Sequence, residues 1–152
     1  MTMLKMPKVD RKILKDREKI IQDICSFTKR ENVLDEREEL KPYETDGLTA
    51  YKQTPMLVVL PETTQEVSKI LSYCNKRKIK VVPRGAGTGL AGSALPLEDC
   101  ILLGLGKFNK ILETDYQNRC VVAQPGVTNL SITHSVQHKG FYYAPDPSSQ
   151  IA

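Results

Sequence analysis

Residues 10–28 place Ile13, Leu14, Ile20, Ile21, Ile24 and Phe27 at helical spacing, with charged residues between them. That pattern predicts an amphipathic helix whose apolar stripe packs on a core rather than serving as a docking arm for a partner. A shorter helix is expected over 35–40. Lys41-Pro42 and Asp46-Gly47 then punctuate the chain, so 42–55 reads as a crossover loop. From Met56 the character changes. Residues 56–60 form an apolar strand stopped by Pro61, and Thr63 with Glu66 makes a capping box for a helix carrying Val67, Ile70, Leu71 and Cys74 on one face. Lys76, Arg77 and Lys78 close that helix where its dipole favours cations. A second strand follows at 79–82, so 56–82 reads as a βαβ unit.

Short strands are expected at 101–105, 111–113 and 120–124, with Asp115-Tyr116-Gln117-Asn118 as turn chemistry between the last two. A helix over 128–139 ends at Gly140, and 141–143 starts another strand. The kinked polar stretch Ala144-Pro145-Asp146-Pro147-Ser148-Ser149 has the composition of a ligand-binding loop.

The 152 residues suffice for one domain with a core, and 40% hydrophobic with 26% charged residues is ordinary globular material. The net charge of +4 gathers near the amino terminus, where acids are interleaved with the lysines and arginines. That is a solvated helix face, so no nucleic acid is expected as a partner. Cys25, Cys74, Cys100 and Cys120 are widely spaced without a C-x-x-C pair, as reduced thiols of a cytoplasmic protein would be. No apolar stretch is long enough to span a membrane. His134 and His138 stand at i, i+4, but no Glu follows His134 and no other histidine exists, so they read as surface or structural residues and no metal is expected.

The most pointed chemistry lies in Val81-Val82-Pro83-Arg84-Gly85-Ala86-Gly87-Thr88-Gly89-Leu90-Ala91-Gly92. Four glycines in eight positions leave bare backbone whose N–H groups can converge on an anion. Gly87 to Gly92 matches G-x-G-x-x-G, yet Gly92-Ser93 and Pro96 leave no room for the helix that a nicotinamide-binding fingerprint requires. A phosphate loop of the Gly-Lys-Ser/Thr kind is absent. What remains is a loop that holds a diphosphate with its own amides. Arg84 beside it reads as a phosphate clamp or as a strand-end surface charge.

Pro83 to Leu90, preceded by Val58-Val59-Leu60-Pro61-Glu62-Thr63 and followed by Gln124-Pro125-Gly126-Val127 and Pro145-Asp146-Pro147-Ser148-Ser149-Gln150, resembles FAD-linked oxidases of the vanillyl-alcohol oxidase, PCMH-type superfamily. The likeness is greatest to the FAD-linked subunits of glycolate oxidases and to D-lactate dehydrogenases, and Tyr43-Glu44-Thr45-Asp46-Gly47 belongs to it. The resemblance implies an α/β (α+β) fold: the amino-terminal lobe of a PCMH-type FAD-binding domain, a small mixed sheet with flanking helices. A helical segment at 1–42 would precede the truncated domain at 43–152. It also implies a set of cofactor contacts. Pro83, Arg84, Gly85, Ala86, Gly87, Thr88, Gly89 and Leu90 would wrap the FAD pyrophosphate, while Gln124, Pro125, Gly126, Pro145, Asp146 and Ser148 would line the cofactor from the neighbouring layer. Thr88 stands where some members carry a histidine that bonds flavin covalently, so FAD should be non-covalent here. Ala91-Gly92-Ser93 departs from the Ser-Gly-Gly of relatives and moves one hydroxyl.

By the same resemblance, the whole protein oxidises a 2-hydroxy acid such as glycolate or D-lactate. Its partners would be further subunits or a separate carboxy-terminal half, through which it would be peripheral to the inner membrane. Relatives continue past Ala152 into a cap carrying the catalytic residues. None is therefore expected in this chain, which alone should bind FAD weakly or not at all. A remnant or split-gene subunit without flavin is the alternative.

Overall fold

The computed structural model describes residues 7–145 and 150–151. Its centre is a four-stranded sheet in the order β1-β2-β4-β3, formed by Val33–Leu34, Leu57–Val59, Cys100–Gly104 and Lys80–Arg84 respectively. β2 and β4 are the interior strands; β4 pairs in parallel with both β2 and β3, while β1 runs antiparallel to β2. The expected small mixed sheet with flanking helices is thus present. Its βαβ unit is split, because β2 and β3 are parallel but β4 lies between them. β4 is apolar and buried throughout, as a parallel strand covered on both faces must be. Pro83 sits in β3, an edge strand, where its missing N–H interrupts no ladder.

The pleat divides the core between the two faces of the sheet. Leu57, Val59, Ile101 and Leu103 join a cluster with Ile13, Ile20, Ile21, Ile24, Ile70 and Cys74. Val58 and Leu102 face the other way, against Leu40, Leu34, Tyr43 and Leu60. The amino-terminal stripe is therefore packing, as its spacing suggested. The helix that carries it is broken at Asp16, giving α1 (Arg11–Lys15) and α2 (Arg17–Cys25). Asp99, only 2% exposed, ties this segment to the sheet by accepting from Lys80 Nζ at 2.7 Å and from the Asp10 N–H at 2.7 Å.

α3 (Arg37–Leu40) and α4 (Thr64–Arg77) both begin with capping boxes, Glu36 with Glu39 and Thr63 with Glu66. On α4 the buried positions are Ile70 and Cys74 with Val67 beside them, whereas Leu71 is 44% exposed. Leu71 lies about 100° round from Ile70 and falls off the stripe. β5 (Ile111–Asp115) and β6 (Cys120–Ala123) form a separate antiparallel pair, followed by α5 (Asn129–Val136). The strand expected at 141–143 is not formed. No ladder partner exists for it among the described residues, and the Tyr143 N–H donates instead to Thr133 Oγ1 at 3.1 Å.

Candidate functional site

Because β2, β3 and β4 are parallel, the segments that leave their carboxyl ends emerge on one side of the sheet. These are 60–63, the glycine loop after Arg84, and the turn at 105–108. Ligands of open α/β sheets bind outside the carboxyl ends of the strands, so this is where a site belongs. Gly85 and Ala86 meet Gly106, Pro125, Gly126 and Val127 there, around a cleft of about 130 Å³. Two motifs separated by almost forty residues in sequence thus share one depression.

The loop itself is open. Gly85, Ala86, Thr88, Gly89 and Leu90 are exposed, and Gly87 and Gly92 adopt φ of +75° and +72°. No backbone N–H from residue 85 to residue 90 donates a hydrogen bond to any other described residue. A run of free amides in a curled, partly left-handed backbone is an anion-binding arrangement. It fits the diphosphate portion of a nucleotide cofactor.

Arg84 is neither free nor pointed into solution. Its Nη1 donates to the carbonyl of Thr45 at 2.6 Å, its guanidinium lies 5.7 Å from the centre of the Tyr43 ring, and the side chain crosses the α-carbon of Gly87. It braces the loop against 43–47. Gly47 completes that contact, since a Cβ there would stand 2.5 Å from the Thr88 carbonyl oxygen and 2.7 Å from that of Gly89. Asp46, 4% exposed, accepts from the Leu48 N–H at 2.9 Å through Oδ1, while its buried Oδ2 has no partner among the described residues. An orphaned buried acceptor is rare in a finished structure and marks a place where a donor is expected.

Gly126 serves packing. Its N–H donates to the Phe108 carbonyl at 2.7 Å, and a Cβ would come within 2.7 Å of the Leu105 carbonyl oxygen. Gln124 Oε1 accepts from the Lys110 N–H at 2.9 Å, so the 124–127 turn is pinned to the 105–110 segment on the far wall of the cleft. Pro125 is exposed beside it. Pro145 is exposed, and Asp146 and Ser148 lie outside the described residues. The sequence reading did not single out Gly47, Asp46, Gly106 or Lys107. Asp46-Gly47 carried a signal as turn punctuation and as part of the family resemblance, but no cofactor role.

Lys107 donates to Glu62 Oε1 at 2.9 Å and to Asn32 Oδ1 at 2.5 Å, at the same end of the sheet. Hydrogen bonds from Lys107, then Lys29 and Asn32, hold the Glu62 carboxyl down at about 2. Burial pushes the thiols of Cys74 and Cys100 up to about 11, and all four cysteines are free. Among the described residues no group of three His, Cys, Asp or Glu side chains is placed to hold a metal, and no helix is long and apolar enough to cross a membrane.

A larger depression of about 530 Å³ lies between the β5–β6 hairpin and α5, lined by aromatic and aliphatic groups including Tyr116, Phe141, Tyr142 and Ile132. Size alone would favour it. Its walls also carry Arg119 and Asp115, whereas the smaller cleft adjoins the glycine loop, where six consecutive N–H groups, from residue 85 to residue 90, have no partner among the described residues.

Residues 55–152 match the family model described as FAD binding domain. The chain is 46% identical over 137 residues to the glycolate oxidase subunit GlcD of Escherichia coli (strain K12), covering 90% of this chain and 28% of that protein. It is 38% identical over 110 residues to the mitochondrial D-2-hydroxyglutarate dehydrogenase of Arabidopsis thaliana, covering 72% of this chain and 20% of that one. Among solved structures, p-cresol methylhydroxylase with substrate bound superposes with a TM-score of 0.73 at 26% identity, over 87% of this chain and 26% of the other. The chain thus spans less than a third of the length of these relatives.

Proposed function

Because the chain belongs to the FAD-binding domain family and FAD is its cofactor, we propose that residues 85–90 hold the FAD diphosphate through their backbone N–H groups in a flavin-dependent 2-hydroxy-acid dehydrogenase. The observation that carries this reading is the largely exposed run of amides, without partners among the described residues, at the carboxyl ends of three parallel strands. Each such N–H on a charged phosphate oxygen makes a charge-assisted bond, stronger than one between neutral groups. FAD, when bound, supplies the two-electron acceptor.

The roles of this chain are binding and orientation. Pro83, next to last in β3, brings no N–H, and Arg84 holds the loop from behind. Gly85, Ala86, Gly87, Thr88, Gly89 and Leu90 present their amides to the diphosphate. Gln124, Pro125 and Gly126 close the opposite wall, and Pro145, Asp146 and Ser148 continue the cofactor contact. No residue here is assigned the catalytic base. The substrate class is that of 2-hydroxy acids such as glycolate or D-lactate, supported by the likeness to a glycolate oxidase subunit, to a D-2-hydroxyglutarate dehydrogenase and to a D-lactate dehydrogenase. The protein works in the cytoplasm with further subunits, a reading supported by its free cysteines and by its likeness to a subunit of glycolate oxidase.

Gly87→Val tests the loop. A β-branched side chain at φ +75° would collide with the Arg84 guanidinium and strain the backbone. Flavin absorbance per mole of polypeptide in the intact protein should fall to background, while His134→Ala, on the exposed side of α5, keeps full flavin. A Gly87→Val protein replete with FAD would contradict the assignment.

A further inference from the structure

The carbonyl oxygens of Thr88 and Gly89 both lie against Gly47, close enough that a Cβ there would stand 2.5 and 2.7 Å from them. No peptide bond among the described residues is cis. In a trans peptide the C=O and the following N–H point in opposite directions across one plane. The Gly89 and Leu90 N–H groups belong to these same two peptide planes, so the contact with Gly47 fixes where they point. Both residues are exposed, and neither N–H has a partner among the described residues.

The contact is held from both sides. Arg84 Nη1 grips the Thr45 carbonyl at 2.6 Å, and Asp46 Oδ1 closes a turn over Gly47 by accepting from the Leu48 N–H at 2.9 Å. We propose that Gly47 is a positioning residue of the anion site: its bare α-carbon lets two loop carbonyls dock on it, and this sets two consecutive amides facing the ligand. The proposal rests on the reading of residues 85–90 as the diphosphate site. Any side chain at position 47 must push the Thr88–Gly89 and Gly89–Leu90 planes away or rotate them. Either movement takes the two amides off a common target.

The test is an amide-resolved NMR titration of the intact, flavin-free protein with ADP, which carries the diphosphate without the flavin. In the parent protein, ADP should shift the amides of residues 85–90. In Gly47→Ala, the Gly89 and Leu90 signals should already be displaced without ligand, and the ADP affinity should drop about tenfold or more, as expected from losing charge-assisted bonds. Signals from β2 and β4 should stay in place. ADP binding within about twofold of the parent, with Gly89 and Leu90 unmoved, would overturn the role of Gly47 and leave the diphosphate site standing. If ADP leaves residues 85–90 unshifted in the parent protein, the site reading itself fails. Should Gly47→Ala give no folded spectrum, amide exchange in the parent protein decides. Protection of Gly89 and Leu90 by ADP supports the orientation, and exchange unaffected by ADP overturns it.

Discussion

Arg84 is held by a segment that its sequence neighbourhood does not reveal. An arginine next to four glycines reads as a phosphate clamp, yet its guanidinium is committed to the Thr45 carbonyl and the Tyr43 ring. That partner segment lies about forty positions away in sequence, and spacing carries no trace of it. The glycines divide in the same way. Gly87 uses a left-handed backbone, whereas Gly47 and Gly126 are needed for close approach to carbonyl oxygens. Glu62 offers a separate residue-scale test. Its folded value near 2 lies below the 4.5 of an unperturbed carboxyl. Its ionised contacts with Lys107 and Lys29 thus contribute fully above pH 4.5, and the contribution is lost as pH falls toward 2. Urea-unfolding free energies measured across that range should fall less steeply with acid in Glu62→Gln than in the parent. Equal slopes would show that this carboxylate carries no linkage.

At the scale of elements, local chemistry was legible wherever it is local. Thr63 and Glu66 announced α4 because a capping box lies within four residues, and Gly140 ended the helical segment after α5 at φ +78°. Non-local pairing was not legible. The short β1 was missed, since two residues carry no periodicity, and its place is fixed by pairing Val33 with Val59. The insertion of β4 between β2 and β3 is likewise a choice of partner that hydrophobic runs do not encode. Residues 141–143 failed in the opposite sense: an aromatic run has strand propensity, but a strand exists only with a ladder. The cap on α4 also sets a magnitude. Thr63→Ala removes the acceptor for the Glu66 N–H and should cost about 1 kcal/mol in chemical denaturation. A variant as stable as the parent would mean that Glu66 and packing alone define the start of the helix.

Across the whole molecule, the sheet does one thing for function: it collects loops at the carboxyl ends of its parallel strands. The glycine loop, the turn containing Gly106, and Gly126 then meet around a cleft of about 130 Å³. That volume suits a diphosphate and not an entire dinucleotide, in keeping with a chain that spans 28% of the glycolate oxidase subunit it matches. The wider groove beside α5 is the rival location, and the two differ in what they offer a ligand, loop amides in one and aromatic rings with Arg119 and Asp115 in the other. The most direct discrimination is a crystal structure of the protein with FAD or ADP bound. The diphosphate oxygens should lie about 2.7–3.2 Å from backbone nitrogens within residues 85–90, with Arg84 still on the Thr45 carbonyl. A diphosphate bound in the groove between the β5–β6 hairpin and α5, with the glycine-loop amides facing solvent, would contradict the account.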